Sequence, residues 1–228
     1  LGLVEYCKGK NDHFVFNTPN QQSKPGYIKM GWREAGKLPI NMTILRPLSI
    51  VKNFIRNSNV TNLERSSVPH YLEHPGLDSL IESQLDQTKS ITTNISRSYL
   101  KWRYMDVPVA EYVAIGEEEG DKLNSLMIGR VKKSRAGNEL RITDFLIREH
   151  HNPILLRGQL AKMRKAWKID YCTLTGTATN AQAKILQWFT VKVPIGPVVT
   201  IRPLALADLD SLKNFNNWSP SLGDLELF

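Results

Sequence analysis

The stretch from Glu111 to Pro203 constrains the fold of this chain more than any other. Residues 111–116, 125–132 and 139–147 each read as a strand, separated by the acidic turn Glu117-Glu118-Glu119-Gly120-Asp121 and by Ser134-Arg135-Ala136-Gly137-Asn138. Both separators place glycine among polar residues, the chemistry of a tight reversal, so the three runs form an antiparallel meander. The period then changes. Residues 153–168 carry Leu156, Leu160, Met163 and Trp167 at helical spacing, followed by a strand at 170–175, a helix at 180–189 and a strand at 197–203. A meander followed by helix, strand, helix and strand predicts an α/β (α+β) fold, with a mixed, mostly antiparallel sheet flanked by helices.

The rest of the chain offers less order. Residues 51–93 are rich in Asn, Ser and Thr and read as a linker or crossover, broken by short helical candidates at 50–56 and 77–86. A helix at 96–103 follows. The closing run from Trp218 to Phe228 is too apolar to stay in water and should lie against the domain. With 228 residues and 41% hydrophobic content the chain can bury one large domain or two small ones. Cys7 and Cys172 are far apart and lack metal-ligand spacing, which predicts reduced core residues of a cytoplasmic protein and no metal site. No run reaches the roughly 18 to 20 apolar residues of a membrane span. The first residues lack both an initiator Met and a signal-peptide layout, so the sequence reads as a fragment.

The formal charge of +8 suits a phosphate-rich cofactor, anionic lipid or nucleic acid without choosing among them. Arg157, Lys162, Arg164, Lys165 and Lys168 share a helix whose apolar stripe faces the other way, so a solvated face accounts for them. Because no basic-aromatic signature accompanies them, nucleic acid is not the expected partner. Glu149, His150 and His151 form a solvated loop, since adjacent histidines point apart and no second ligand pair is evident.

Near the start, Phe14-Val-Phe-Asn-Thr-Pro-Asn20-Gln-Gln-Ser-Lys-Pro-Gly-Tyr27-Ile-Lys-Met-Gly31-Trp32 reads as a strand, a polar turn and a short helix ending at glycine. Asn20 is a good N-cap, and the open N-terminus behind it presents unpaired N–H groups. Tyr27 lies seven positions on, about two turns, and so returns to the face that Asn20 starts. Gly31 can take the left-handed conformation that stops a helix.

This segment resembles the GNAT superfamily of acyl-CoA-dependent acyltransferases, in which a strand leads to an Asn-started helix with Tyr seven residues later, then Gly and an aromatic. The resemblance implies acetyl-CoA as cosubstrate, bound near Phe16, Asn17 and Asn20, with a small-molecule or peptide amine as acceptor. Tyr27 would be the catalytic acid that protonates the leaving thiolate after the amine attacks the thioester.

The two ends of the chain also resemble each other. Met42-Thr-Ile-Leu-Arg46-Pro47-Leu48 matches Val199-Thr-Ile-Arg202-Pro203-Leu204, and each follows a strand, an Asn-started helix and a short connection. Two copies of one unit are therefore expected. Residues 1–50 would be the last part of a first GNAT-like domain, 51–93 the linker, and 94–228 a second, degenerate one. The second copy departs from the family pattern. Where a glycine-rich loop should open the helix to a pyrophosphate, it has Arg148-Glu-His-His-Asn-Pro-Ile-Leu-Leu-Arg157-Gly158-Gln159, and seven residues after Asn180 stands Gln187 instead of Tyr.

Chemistry is accordingly expected in the first copy, whose own pyrophosphate loop would lie before Leu1. Two other classes fit the same residues. One is an aminoacyl transferase resembling the Fem family, using aminoacyl-tRNA, for which the positive charge would serve RNA backbone contacts. The other is a non-catalytic interaction module.

Overall fold

A computed structural model of the chain describes residues 6, 9, 13–55, 67–85, 90–106, 110–175, 189–193, 195–205 and 210–225. The helix expected at 180–189, with Asn180 and Gln187, falls outside the described residues apart from Phe189, as do Cys7, residues 56–66 and the last three positions.

The meander forms as expected and runs longer than the sequence suggests. Strands β4 (Val113–Glu119), β5 (Lys122–Ser134) and β6 (Gly137–Ile147) pair antiparallel in sequence order. The first reversal is only Gly120-Asp121, so Glu117, Glu118 and Glu119 belong to β4 and not to a turn; Glu117 is buried. Helix α6 (Ile154–Ala166) then crosses to β7 (Ile169–Thr175), which pairs parallel to β6. Such a parallel step needs a crossover connection, and α6 supplies it.

A six-stranded sheet of order β4-β5-β6-β7-β3-β8 results, with β3 (Ile40–Ile44) and β8 (Val191–Val193). One face packs on α6 through Leu140, Ile142, Leu156, Leu160 and Ile169. The other packs on α3 (Val68–Glu73), α4 (Leu77–Leu85) and α5 (Arg97–Tyr104) through Leu72, Leu80, Leu100 and Leu126. The stretch read as a linker is thus in large part core: Val68, Leu72, Leu77 and Leu80 are fully buried. The helical candidate at 77–86 forms as α4, and the polar composition hid α3 before it. Arg97 ties that layer together by donating to Asp78 and to the carbonyls of Leu72 and His74.

A second sheet has three strands, β1 (Phe14–Asn17), β9 (Val198–Pro203) and β2 (Arg33–Lys37), with β9 in the middle. Residues 33–37, expected as part of a connection, are therefore a strand. The segment 40–48 is strand only to Ile44; Pro47, whose fixed φ suits a first helical position, opens α2 (Pro47–Ile55). Both segments find strand partners within the chain. β3 lies between β7 and β8, and β9 lies between β1 and β2. The two segments that share Thr-Ile and Arg-Pro-Leu thus each fill the centre of a strand triplet whose flanks come from the opposite end of the sequence.

The C-terminal segment closes the molecule. Helix α7 (Asp210–Lys213), a 3-10 turn (Phe215–Asn217) and α8 (Leu222–Leu225) bring Trp218 into the core against Phe14, Phe16 and Phe215, its indole N–H donating to Leu212 O at 3.0 Å. Cys172 is buried and reduced. Among the described residues no helix is long and apolar enough to cross a membrane.

Candidate functional site

At the N-terminal end, α1 (Lys24–Lys29) opens after Ser23, which makes no side-chain capping bond, and not at the expected cap Asn20, which starts the turn leading into it. Asn20 Oδ1 accepts from Gln22 N (3.0 Å) and Ser23 N (2.8 Å), and Lys24 N donates to Asn20 O, so that leading turn begins at Asn20. At the other end Gly31 has φ +86°, Trp32 N donates to Tyr27 O and Gly31 N to Ile28 O. Those two bonds make a Schellman stop, which needs the left-handed residue that glycine supplies. The stop turns Trp32 back onto Tyr27, the rings meeting edge to face at 5.2 Å. Tyr27 is half-buried, and its hydroxyl makes no hydrogen bond among the described residues.

Phe16 and Asn17 lie on β1, an edge of its sheet. Leu204 N bonds His13 O, and Pro203, which has no N–H, sits opposite Phe14. That register turns the backbone groups of Val15 and Asn17 toward β9 and those of Phe14 and Phe16 toward the free edge. Phe16 therefore has its amide free of β9, whereas Asn17 does not. The Asn17 side chain is occupied locally, Oδ1 accepting from Thr18 N at 2.7 Å. The Phe16 ring packs on Trp218, 5.3 Å between centroids.

The corresponding place in the larger sheet is closed. At the N-terminus of α6, where unpaired N–H groups favour an anion, Glu117 Oε1 accepts from Leu155 N (2.6 Å) and Leu156 N (3.0 Å). Its other oxygen accepts from Ser125 Oγ at 3.0 Å and meets His151 Nε2. Burial pushes the Glu117 carboxyl up, but His151, the Leu156 amide and Ser125 outweigh it and hold the group below its ordinary range. Sequence reasoning missed this, because Glu117 stands 39 positions from Leu156 and only the bend of β4 brings it there. His151 is part of that anchor and not of a wholly solvated loop, while His150 is exposed.

A third arrangement was also hidden. β6 and β7 pair only as far as Arg141 and Thr173 and then part. A cavity of about 120 Å³ lies in the gap, lined from β6 by Thr143 and Asp144, from β7 by Leu174 and Thr175, and from the C-terminal segment by Ser221 and Leu222. Asp144 accepts from Tyr104 Oη and faces Ser221, Arg103 and Asp224. Desolvation above all, then Asp224, pushes its carboxyl up to about 7. The same burial raises Tyr104 and Tyr99.

No protein-family model and no curated protein matches this sequence. Solved structures do match its shape. A GCN5-related N-acetyltransferase from Anabaena variabilis superposes with TM-score 0.52 at 14% identity over 89% of this chain. A conserved protein from Enterococcus faecalis, described as a probable N-acyltransferase, gives 0.52 at 10% identity over 90%. A GCN5-related N-acetyltransferase from Kribbella flavida gives 0.50 at 9% identity over 95%.

This chain has a GNAT-like fold.

It spans about half the length of those three structures, 49%, 49% and 48% of each. The parallel β6–β7 pair parts beyond Arg141 and Thr173, where the cavity lies, while Glu117 stands on β4 at the start of α6. The amides that open α6 are filled by the buried carboxylate of Glu117. Of the two leucines at the start of α6, Leu155 is exposed at 65% and Leu156 is fully buried. The basic side chains Lys162, Arg164, Lys165 and Lys168 form the exposed face of α6 that the periodicity predicts.

Proposed function

We propose that the chain belongs to an acyl-CoA-dependent N-acyltransferase built from two GNAT-like units, the end of the first at 1–50 and the second at 94–228. The helices of 68–85 belong with the second. In this reading the last strands of the two units are exchanged: β3 completes the sheet of the second unit and β9 that of the first. Catalysis falls to the first unit. The carrying observation is the contrast between the two, a half-buried phenol whose hydroxyl makes no hydrogen bond among the described residues, against a helix start already filled by Glu117.

In the reaction the acceptor amine attacks the acyl carbon of acetyl-CoA, the C–S bond breaks, and Tyr27 gives its proton to the departing thiolate. A phenol is a weaker acid than a thiol, near 10 against near 8.5 in free form, so the advantage comes from positioning the two groups. The free amide of Phe16 and the open turn at Asn20 are the groups available to the cofactor's arm. The acceptor is an amine and no metal takes part.

The test is acetyl transfer by the full-length protein. Tyr27→Phe is expected to lower kcat roughly tenfold or more with little change in acetyl-CoA affinity, the signature of a lost proton donor. An unchanged kcat would return Tyr27 to a packing role.

A further inference from the structure

Two basic clusters that are separate in the sequence lie side by side in the folded chain. β5 and β6 turn over at Arg135-Ala136, with Ser134 opposite Gly137 and Lys133 opposite Asn138. Asn138 ties that hairpin tip to the end of α6. Its Nδ2 donates to Trp167 O at 3.1 Å and to Lys168 O at 3.4 Å, and its backbone N–H donates to Asp170 Oδ2 at 2.9 Å. Residues directly opposite on paired strands share a face, so Lys133 stands on the side of Asn138 and Leu140, the face that packs on α6. Lys132 belongs to the other face. Lys133 and Arg135 of the hairpin therefore join Lys162, Arg164, Lys165 and Lys168, on and just after α6, in one surface.

All six residues are exposed, and none makes an ion pair among the described residues. The acidic residues of the same stretch do not offset them. Glu139, Asp144 and Asp170 are buried, and Glu149 precedes α6, at the far end of a 13-residue helix. Cations near a helix C-terminus complement its dipole, which accounts for Arg164 and Lys165 in the last turn. It does not account for Lys133 and Arg135, which the fold holds beside like charges at a repulsive cost.

The chemistry of this surface narrows its partner. No large apolar side chain is exposed on it among the described residues. A protein interface is built around apolar and aromatic anchors and is poor in Lys, and a membrane-surface helix inserts Trp, Phe or Leu beside its cations. Single strands are held by stacking on exposed aromatics, whereas Trp167 packs against the core. Duplex RNA is recognised in part through its 2′-hydroxyls. Here the neutral polar side chains are already spent, Asn138 on α6 and Ser134 Oγ on Gly137 O, Ala136 N and Tyr171 Oη. A set of point charges is left, suited to regularly spaced phosphates. We propose that this surface binds double-stranded DNA through the phosphate backbone, without reading base sequence. It does not involve Tyr27 and does not rest on acyl transfer.

The test is fluorescence anisotropy of a labelled DNA duplex of mixed sequence, about 20 base pairs long, with the intact chain at about 50 to about 200 mM NaCl. About four to six phosphate contacts predict a loss of about 10² to 10³ in affinity over that range. Lys133→Gln with Arg135→Gln, and separately Arg164→Gln with Lys165→Gln, should each weaken binding about tenfold or more at the lower salt and flatten the salt dependence by about two contacts. Lys37→Gln with Lys122→Gln removes the same charge from exposed positions on β2 and at the opposite end of β5, and should change affinity less than about twofold. All these side chains are exposed, and an unchanged Tm shows that each variant is folded. Equal weakening by the Lys37 and Lys122 pair, or an effect of the α6 pair without one of the hairpin pair, would overturn the proposal. So would tighter binding of a single strand, an RNA duplex of the same sequence, polyglutamate or phosphatidylserine vesicles.

Discussion

Two helix starts in this molecule meet the same physical demand in opposite ways. At α1 the amides of the turn leading into the helix are satisfied locally, by the side chain of Asn20, so the surroundings of Tyr27 stay open. At α6 they are satisfied at long range, by Glu117 from β4, and the space where an anion could approach is filled by protein. The lesson is that a helix N-terminus offers a ligand site only if the fold leaves its amides unspent. A local cap and a tertiary one stabilise the helix alike, yet only the second brings a full buried charge with it.

The comparison breaks most severely where the two regions are joined. Trp218 packs on Phe14 and Phe16 of β1 while its neighbours Ser219 and Ser221 line the gap beside β6. Trp218→Ala is expected to destabilise the protein by about 3–5 kcal/mol, read as a lower denaturation midpoint by chemical unfolding. A loss below about 1 kcal/mol would mean the regions do not depend on that contact. Next in size is the tertiary cap itself. Glu117→Ala leaves the Leu155 and Leu156 amides and His151 without their partner, and is expected to cost about 3 kcal/mol in urea unfolding at pH 7. Its pH dependence has a definite sign. The folded-state carboxyl is held below its unfolded value of 4.5, so the stabilisation is present above that pH and is lost as pH falls through the folded value. The variant should therefore show a flatter acid limb than the parent chain; an unchanged limb would remove Glu117 from the account.

The local cap sharpens the contrast with smaller effects. Tyr27→Phe should leave stability within about 0.5 kcal/mol, since the ring still meets Trp32, so that the tenfold or greater loss in turnover expected of the full-length protein is separable from folding. Gly31→Ala forces a side chain into φ +86° and should cost about 1 kcal/mol, visible as reduced amide protection over residues 24–32 by hydrogen exchange. Equal protection in both proteins would show that the Schellman stop contributes little.

Much of the architecture was legible because it rests on local chemistry. The meander, α6 and β7 follow from alternation, turn residues and the Leu156, Leu160, Met163 stripe, all readable in windows of a few residues. Gly31 marks the stop of α1 for the same reason, since a left-handed stop depends on near neighbours. Helix α3 was missed and α4, though expected as a helix, was not expected in the core, because short segments rich in Ser, Glu and His reveal an apolar face only when something packs on it. Residues 33–37 look like a connection until β9 gives their backbone groups a partner.

The sequence by itself determined the meander, α6, β7 and the glycine stop of α1, because those properties arise from side chains acting within a turn or two of backbone. Only the tertiary structure decided that β3 and β9 take the central places in each other's strand triplets, that Glu117 spends the amides of α6, and that Asp144 is buried beside a cavity. Those contacts join residues from 38 positions apart, Glu117 and Leu155, to 183 apart, Asn17 and Thr200. Strand pairing satisfies any backbone edge that alternates correctly, and a carboxylate's character depends on how much water and how many donors surround it, so neither can be read from the residues alone.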